Sequence, residues 1–222
     1  MGQEINLLDL YPKAKRQIDQ RAKLVKETDR AIARKFGVAY FDGDRLTGYG
    51  GYNYAPRFWQ DTVRRIVDHY QLPEGARVLD IGCAKGYMMY DMKQYRPDLD
   101  IQGIDISQYA KDHAKDEVRD LITVANANDL PFEDNSFDLV IAINALHNLP
   151  LIDCKEAFRE ISRVSRKDAF VMNDAWRNDQ EQKSMLGWNL TALTYMHVDD
   201  WKKLFEEVGY DGDYYWFIAE SA

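Results

Sequence analysis

From residue 77 onward the chain alternates short apolar runs with longer amphipathic ones, and few folds accommodate that alternation. Residues 77–81, 101–105, 121–124, 137–143 and 169–173 are apolar and short enough to be strands. Residues 87–94, 108–119 and 153–165 lie between them and read as helices. A helix over 199–208 and a strand over 214–219 close the pattern. Strands separated by helices pair in the same direction, with the helices laid on the two faces of the sheet. The expected fold is therefore α/β, a doubly wound, mostly parallel, Rossmann-like sheet. At 222 residues the chain can form one such domain with a real core.

The segment before this pattern reads differently. Between residues 12 and 36, Ile18, Ala22, Val25, Ala33 and Phe36 recur at three- and four-residue spacings, which predicts one or two amphipathic helices packed on the domain surface. Residues 40–59 then alternate glycine with aromatic side chains. Two readings fit that stretch: a lid that binds ligand, or a structural turn whose rings cover the core. A helix over 56–70 follows, with Phe58, Val63, Ile66 and Val67 on its apolar face. The expected organisation is an N-terminal helical and lid segment over 1–60 and a core over 61–222.

Charge narrows the partners. Lys and Arg number 29 against 37 Asp and Glu, a formal net charge of −8, whereas nucleic-acid backbones are bound by positive surfaces. No nucleic-acid partner is expected. There is no apolar run of membrane-spanning length and no signal-peptide h-region, so no membrane partner is expected either. Cys83 and Cys154 are far apart, and His69, His113, His147 and His197 show no ligand spacing, so no metal site is expected. The expected location is the reduced cytoplasm.

In a doubly wound sheet, ligands sit at the carboxyl ends of the strands. The first strand runs into Asp80-Ile81-Gly82-Cys83-Ala84-Lys85-Gly86. Gly82 suits a tight turn out of the strand, Gly86 the close start of a helix, and the backbone between them can approach a ligand. Alone, such a loop is a dinucleotide site or only a turn. The second strand ends at Asp105, where a carboxylate can accept from vicinal ribose hydroxyls; Asp105 or Ser107 could instead cap the next helix.

Several segments together carry a resemblance. Val78-Leu79-Asp80-Ile81-Gly82-Cys83-Ala84-Lys85-Gly86 resembles the first signature, D/E-x-G-x-G-x-G, of the class I S-adenosylmethionine-dependent methyltransferases, in particular the type 11-like small-molecule enzymes. Residues 126–138 resemble that family's D-A-x-x-L-P-F-x-D-x-S-F-D segment, residues 144–149 its L-H-H-L stretch, and residues 158–164 its l-R-E-i-x-R-V helix. The match covers about residues 75–175 in motif order. Ala84 replaces a common glycine, Asn126 a usual aspartate, and 166–169 a lysine-proline-glycine-glycine turn.

The resemblance implies a seven-stranded sheet, S-adenosyl-L-methionine as cofactor, and methyl transfer to a small-molecule acceptor, most readily at N or O. It implies that Asp80, Gly82, Cys83 and Gly86 form the loop at the methionine moiety. Asp105 would hold ribose, Ile106, Asn126 and Ala127 the adenine, and Asn144 would lie near the sulfonium. His147, after the fourth strand, and Asn144 are the catalytic candidates. Tyr49, Tyr52, Tyr54, Arg57, Trp59, Asp174, Trp176 and His197 are the acceptor candidates, with Arg45 and Arg177 as further anion partners. The chain is compatible with a homodimer. Two rivals are a nicotinamide-dependent Rossmann oxidoreductase, although Gly82, Ala84 and Gly86 do not give G-x-G-x-x-G, and a non-catalytic nucleotide-binding protein.

Overall fold

A computed structural model of the protein describes residues 2–13 and 16–220. Its sheet grows from β1 (Arg77–Ile81), whose residues Val78 to Ile81 pair in parallel with β2 (Asp100–Asp105) on one side and β4 (Phe137–Ile143) on the other. β3 (Ile122–Val124) extends the sheet beyond β2, and β5 (Ser165–Trp176) extends it beyond β4. β7 (Asp213–Phe217) pairs with the middle of β5, and β6 (Met196–His197) with its last two residues, beyond the point where β4 has ended. Among the described residues the sheet has seven strands, and every pairing between strands is parallel. The outer edge of β7 is covered: Ile5 N–H donates to Tyr214 O at 2.9 Å and Tyr214 N–H to Gln3 O at 3.0 Å. An edge closed in this way is no template for another chain.

Helices cover both faces. α4 (Pro56–Tyr70) and α5 (Tyr87–Tyr95) pack Val63, Ile66, Val67, Met88, Met89 and Met92 against Val78, Ile101, Leu139, Ile141 and Phe170. On the other face α8 (Leu151–Val164) and α10 (Val198–Val208) bring Phe158, Ile161, Trp201 and Phe205 against Leu79, Val140, Ala142 and Val171. Adjacent residues of one strand thus enter opposite cores, which is why the strands read as continuous apolar runs. The sheet order β3-β2-β1-β4-β5 reverses direction between β1 and β4, placing a crevice there.

Local chemistry accounts for the boundaries. Pro56 opens α4 at its first turn, and Gly209 (φ +74°) closes α10 in the left-handed region. The helix expected over 108–119 is two short ones, α6 (Gln108–Asp112) and α7 (Asp116–Arg119). The N-terminal periodicity resolves into α1 (Ile18–Leu24) and α2 (Glu27–Ala33), followed by α3 (Val38–Phe41); residues 14 and 15 lie outside the described residues. α9 (Asp179–Trp188), not expected from the sequence, packs against α1 through Met185 and Ile18. Its apolar positions are too few to mark a helix face. No helix among the described residues is long and apolar enough to cross a membrane.

Candidate active site

The two loops at the switch point are fixed by backbone geometry. Gly82 has φ +75°, and a Cβ there would fall 2.4 Å from the Cβ of Ala145. The N–H groups of Gly82 and Cys83 both donate to Ile104 O, at 2.8 and 3.0 Å. Ala84 follows at φ +51°, and its N–H donates to Asp105 Oδ2 at 2.8 Å. The other oxygen of Asp105 accepts from Ser107 N–H at 2.8 Å, while Ser107 itself caps α6. Asp105 therefore clamps its own loop to the first. Each of its oxygens keeps a lone pair for a ligand hydroxyl. Burial raises its pKa, opposed by these two N–H donors.

Across the crevice, Asn144 leaves β4 at φ +54°, its N–H donating to Met172 O at 2.8 Å. His147 is 4% exposed, and burial lowers its pKa to about 3, so the ring is neutral. Its Nδ1 accepts from the backbone N–H of Asp174 at 3.0 Å. That acceptor role fixes the proton on Nε2. The ring offered by the sequence as a general base has its one lone pair occupied; towards a ligand it can only donate.

Two acids here lack partners. The Asp80 carboxyl is 5% exposed and has no hydrogen bond or cation among the described residues; burial, with Asp105 adding to it, pushes its pKa to about 8. Asp174 is also buried, and burial raises it to about 7. Its nearest ring nitrogen, His147 Nδ1, is 3.6 Å away and already engaged. Both acids face a cavity of about 650 Å³ over the strand ends. Asp80, Gly82, Cys83, Asp105, Ile106, Asn126, Ala127 and Asn144 line it, and so do Tyr49, Tyr52, Trp59, His147 and Asp174, with Arg45 and Arg177. Ile106 keeps 54% of its surface exposed, giving the cavity an apolar wall.

Residues 79–172 match the model of a methyltransferase domain. An Arabidopsis thaliana protein named tRNA (carboxymethyluridine(34)-5-O)-methyltransferase is 32% identical over 59% of this chain and 31% of its own length. A 27-O-demethylrifamycin SV methyltransferase from Amycolatopsis mediterranei is 32% identical over 64% of this chain and 57% of its own. An uncharacterized Haemophilus influenzae protein is 31% identical over 72% and 71%. The solved structure of YcgJ from Bacillus subtilis superposes with a TM-score of 0.54 at 19% identity, covering 66% of each chain, a likeness of fold. The chain therefore carries a methyltransferase domain. It spans about a third of the Arabidopsis relative and just over half of the Amycolatopsis one.

Five of the residues expected at the site lie off the cavity. Gly86, at φ +70°, begins α5, and a Cβ there would meet Val118 Cγ2 at 2.7 Å; it serves helix packing. Tyr54 turns outward, its hydroxyl donating to Asp91 and its ring meeting Tyr87 and Tyr90. Arg57 is exposed, with its guanidinium over Phe58. Trp176 packs beside Met185 and Tyr195. His197 caps α10, its Nδ1 accepting from Asp199 N–H at 3.2 Å.

The cavity is also closed by residues that the sequence did not mark as part of a site. Tyr11, Arg16, Arg21, Phe36, Trp188 and Phe217 all line the cavity, so the N-terminal segment is a wall of it and not only surface packing. Arg21 ties this wall together, donating to Trp188 O and Arg45 O, both at 3.0 Å. Lys85, within the glycine loop and 4% exposed, donates to both oxygens of Asp42 at 2.8 and 2.7 Å and to Tyr52 O at 3.0 Å. Burial opposes ionisation of Asp42, but hydrogen bonds from Lys85 and Tyr109 hold its pKa below the ordinary carboxylate value. The glycine-aromatic segment is thereby pinned to the glycine loop after β1. Asp42 in the run Phe41-Asp42-Gly43-Asp44 was the one available sequence signal for this tie.

Proposed function

We propose that this chain transfers a methyl group from S-adenosylmethionine to the oxygen or nitrogen of a small molecule. The observation that carries the reading is the unpaired buried carboxyl of Asp80 beside the Gly82 turn. A buried acid without a cation is costly, and the cofactor brings an ammonium and a sulfonium. Asp105 offers lone pairs for the ribose hydroxyls, Ile106 an apolar face for the adenine, and Asn126 an amide for its edge. These residues fit the cofactor on charge and polarity.

When bound, the cofactor supplies a methyl group on a positively charged sulfur, already activated for displacement. The chain's part is alignment and exclusion of water. Asn144 and the His147 Nε2–H stand at the crevice between the cofactor loops and the far wall, where they can orient the acceptor. We take the segment over 1–60 as a cap on the core over 61–222, held by the Lys85–Asp42 tie. A small acceptor agrees with a cavity walled by Tyr11, Phe36, Tyr49, Tyr52 and Trp59 and with the net charge of −8. Calorimetric titration with S-adenosylmethionine, S-adenosylhomocysteine and NADH is the first test. Tight binding of the first two and none of the third is expected; the reverse would return the oxidoreductase reading. Release of S-adenosylhomocysteine with a metabolite library, and with unmodified tRNA in parallel, then decides the acceptor class.

A further inference from the structure

The far wall of the cavity holds a cation and an acid that face each other without meeting. Arg16 is half-buried, its guanidinium 4.7 Å from the ring centre of Phe217 and 5.6 Å from that of Trp188. Among the described residues it has no ion pair and no hydrogen bond. Burial lowers its pKa, while Glu220, Asp174 and Tyr11 act on it from a distance. A guanidinium stays charged even so, and stacked on rings it presents its N–H edge to whatever enters. Arg21 beside it is already spent on two carbonyl groups. Asp174 lines the same cavity with its carboxyl unbonded; the groups that face it are Arg16, the His147 ring and the Tyr49 hydroxyl. Tyr11 adds a flat surface, its ring 5.1 Å from Trp59 and 5.4 Å from Phe58.

We infer that the methyl acceptor is an aromatic carboxylic acid bearing a hydroxyl or amino group, its carboxylate held by Arg16 and its proton taken by Asp174. The inference rests on the methyltransferase reading above and names the substrate of that site. A single fork-shaped cation suits a carboxylate; a dianionic phosphate would set its second charge against Asp174 and Glu220. The rings of Tyr11, Trp59, Trp188 and Phe217 give the acceptor's plane its walls. In the step itself the acceptor's lone pair forms the bond to the methyl carbon as the carbon–sulfur bond breaks. The sulfur keeps that electron pair, giving S-adenosylhomocysteine. The acceptor's proton passes to the ionised Asp174 carboxylate and from there to solvent. Asp174 replaces His147 as the base because its carboxyl is free while the histidine's lone pair is occupied. A pKa near neutrality suits that duty.

The test uses the full chain saturated with S-adenosylhomocysteine, titrated with hydroxybenzoic and aminobenzoic acids and with their methyl esters. Acids are expected to bind about 10- to 100-fold more tightly than esters, the scale of hydrogen bonds to a charged group. Arg16→Gln should remove that preference while leaving S-adenosylhomocysteine affinity unchanged, and Arg16→Lys should restore part of it. Asp174→Asn should bind the acid about as well as the parent but lose roughly 100-fold or more in turnover. Equal binding of acids and esters, or no binding of either to a protein that binds S-adenosylhomocysteine, overturns the inference alone. So does an Asp174→Asn variant of full activity. Failure to bind S-adenosylhomocysteine overturns the methyltransferase reading with it.

Discussion

Around Gly82, Asp105 and Asn144 the cavity wall is made by backbone: left-handed turns, N–H groups donating to strand carbonyls, and one carboxylate bracing two loops. Opposite, around Tyr11, Arg16, Trp188 and Phe217, it is made by side chains from segments far apart in sequence, held by ring packing and by Arg21 bridging to Trp188 and Arg45. The first construction tolerates few residues at each position and, on the function proposed above, holds the cofactor. The second tolerates many and can be rebuilt for a different acceptor. Substitutions on either side, and at the joint between them, separate these two behaviours.

The largest effect is expected at Gly82. Valine there must adopt φ +75° and place its Cβ against Ala145, so both fold and binding suffer. Gly82→Val should weaken cofactor binding roughly a hundredfold or more and destabilise the fold by about 1–3 kcal/mol. Calorimetry and urea melts measure the two. Normal binding in this variant would mean that the backbone wall is not the cofactor site.

Next is the joint. Asp42→Ala leaves the Lys85 ammonium, with 5% of its side chain exposed, without its carboxylate. The expected loss is about 2–3 kcal/mol, below the full cost of breaking a wholly buried pair because Asp42 is itself 27% exposed. Hydrogen exchange should rise in residues 40–55 more than in the β1 loop. Equal loosening of both would show one cooperative unit instead of two walls.

Asp80 gives a smaller, pH-dependent effect with opposite signs for binding and stability. In the free protein its pKa of about 8 means that a cationic ligand must displace a proton, so affinity should rise with pH up to about 8. The rise is at most about tenfold per pH unit, and it flattens where the ligand's own α-amino group, near 7.7–8.0, loses its proton. Stability of the free protein runs the other way. The folded chain keeps a proton that the unfolded chain releases above about pH 4, so this group's contribution falls as pH rises from about 4 to 8. Asp80→Asn should raise Tm at neutral pH and remove the pH dependence of binding. A variant whose affinity kept its pH dependence would show that another group carries the proton.

The two walls also differed in how far the sequence revealed them. A glycine at a left-handed turn and an acid at a strand end are local demands, so Gly82, Asp80 and Asp105 stand out in a few consecutive residues. The strands were legible for the same reason, except β6, whose two residues are set by the end of β5 and by no pattern of their own. Arg16, Trp188 and Phe217 meet only in the folded chain, and nothing in their neighbours marks them. Tyr54 and His197 show the converse: each sits in a suggestive segment, yet the direction of the chain turns one towards Asp91 and uses the other as a helix cap. His147 was found by position, but its tautomer depends on a backbone N–H 27 residues away.

The smallest expected effect tests whether the backbone wall holds strain for the sake of its geometry. Ala84 occupies the left-handed region at φ +51°, a conformation that favours glycine. A left-handed residue with a Cβ costs about 1–2 kcal/mol, whereas glycine costs about 0.5–1 kcal/mol through the freedom it gains when unfolded. Ala84→Gly should therefore stabilise the protein by about 0.5–1 kcal/mol, since the alanine's strain exceeds the glycine's entropy. The N–H to Asp105 is a backbone bond and survives the change, so cofactor affinity should stay within about twofold. Urea melts at constant m value, with calorimetry on the same samples, measure both. A loss of stability would mean that the Ala84 methyl is gripped by the folded loop and that its packing outweighs its strain.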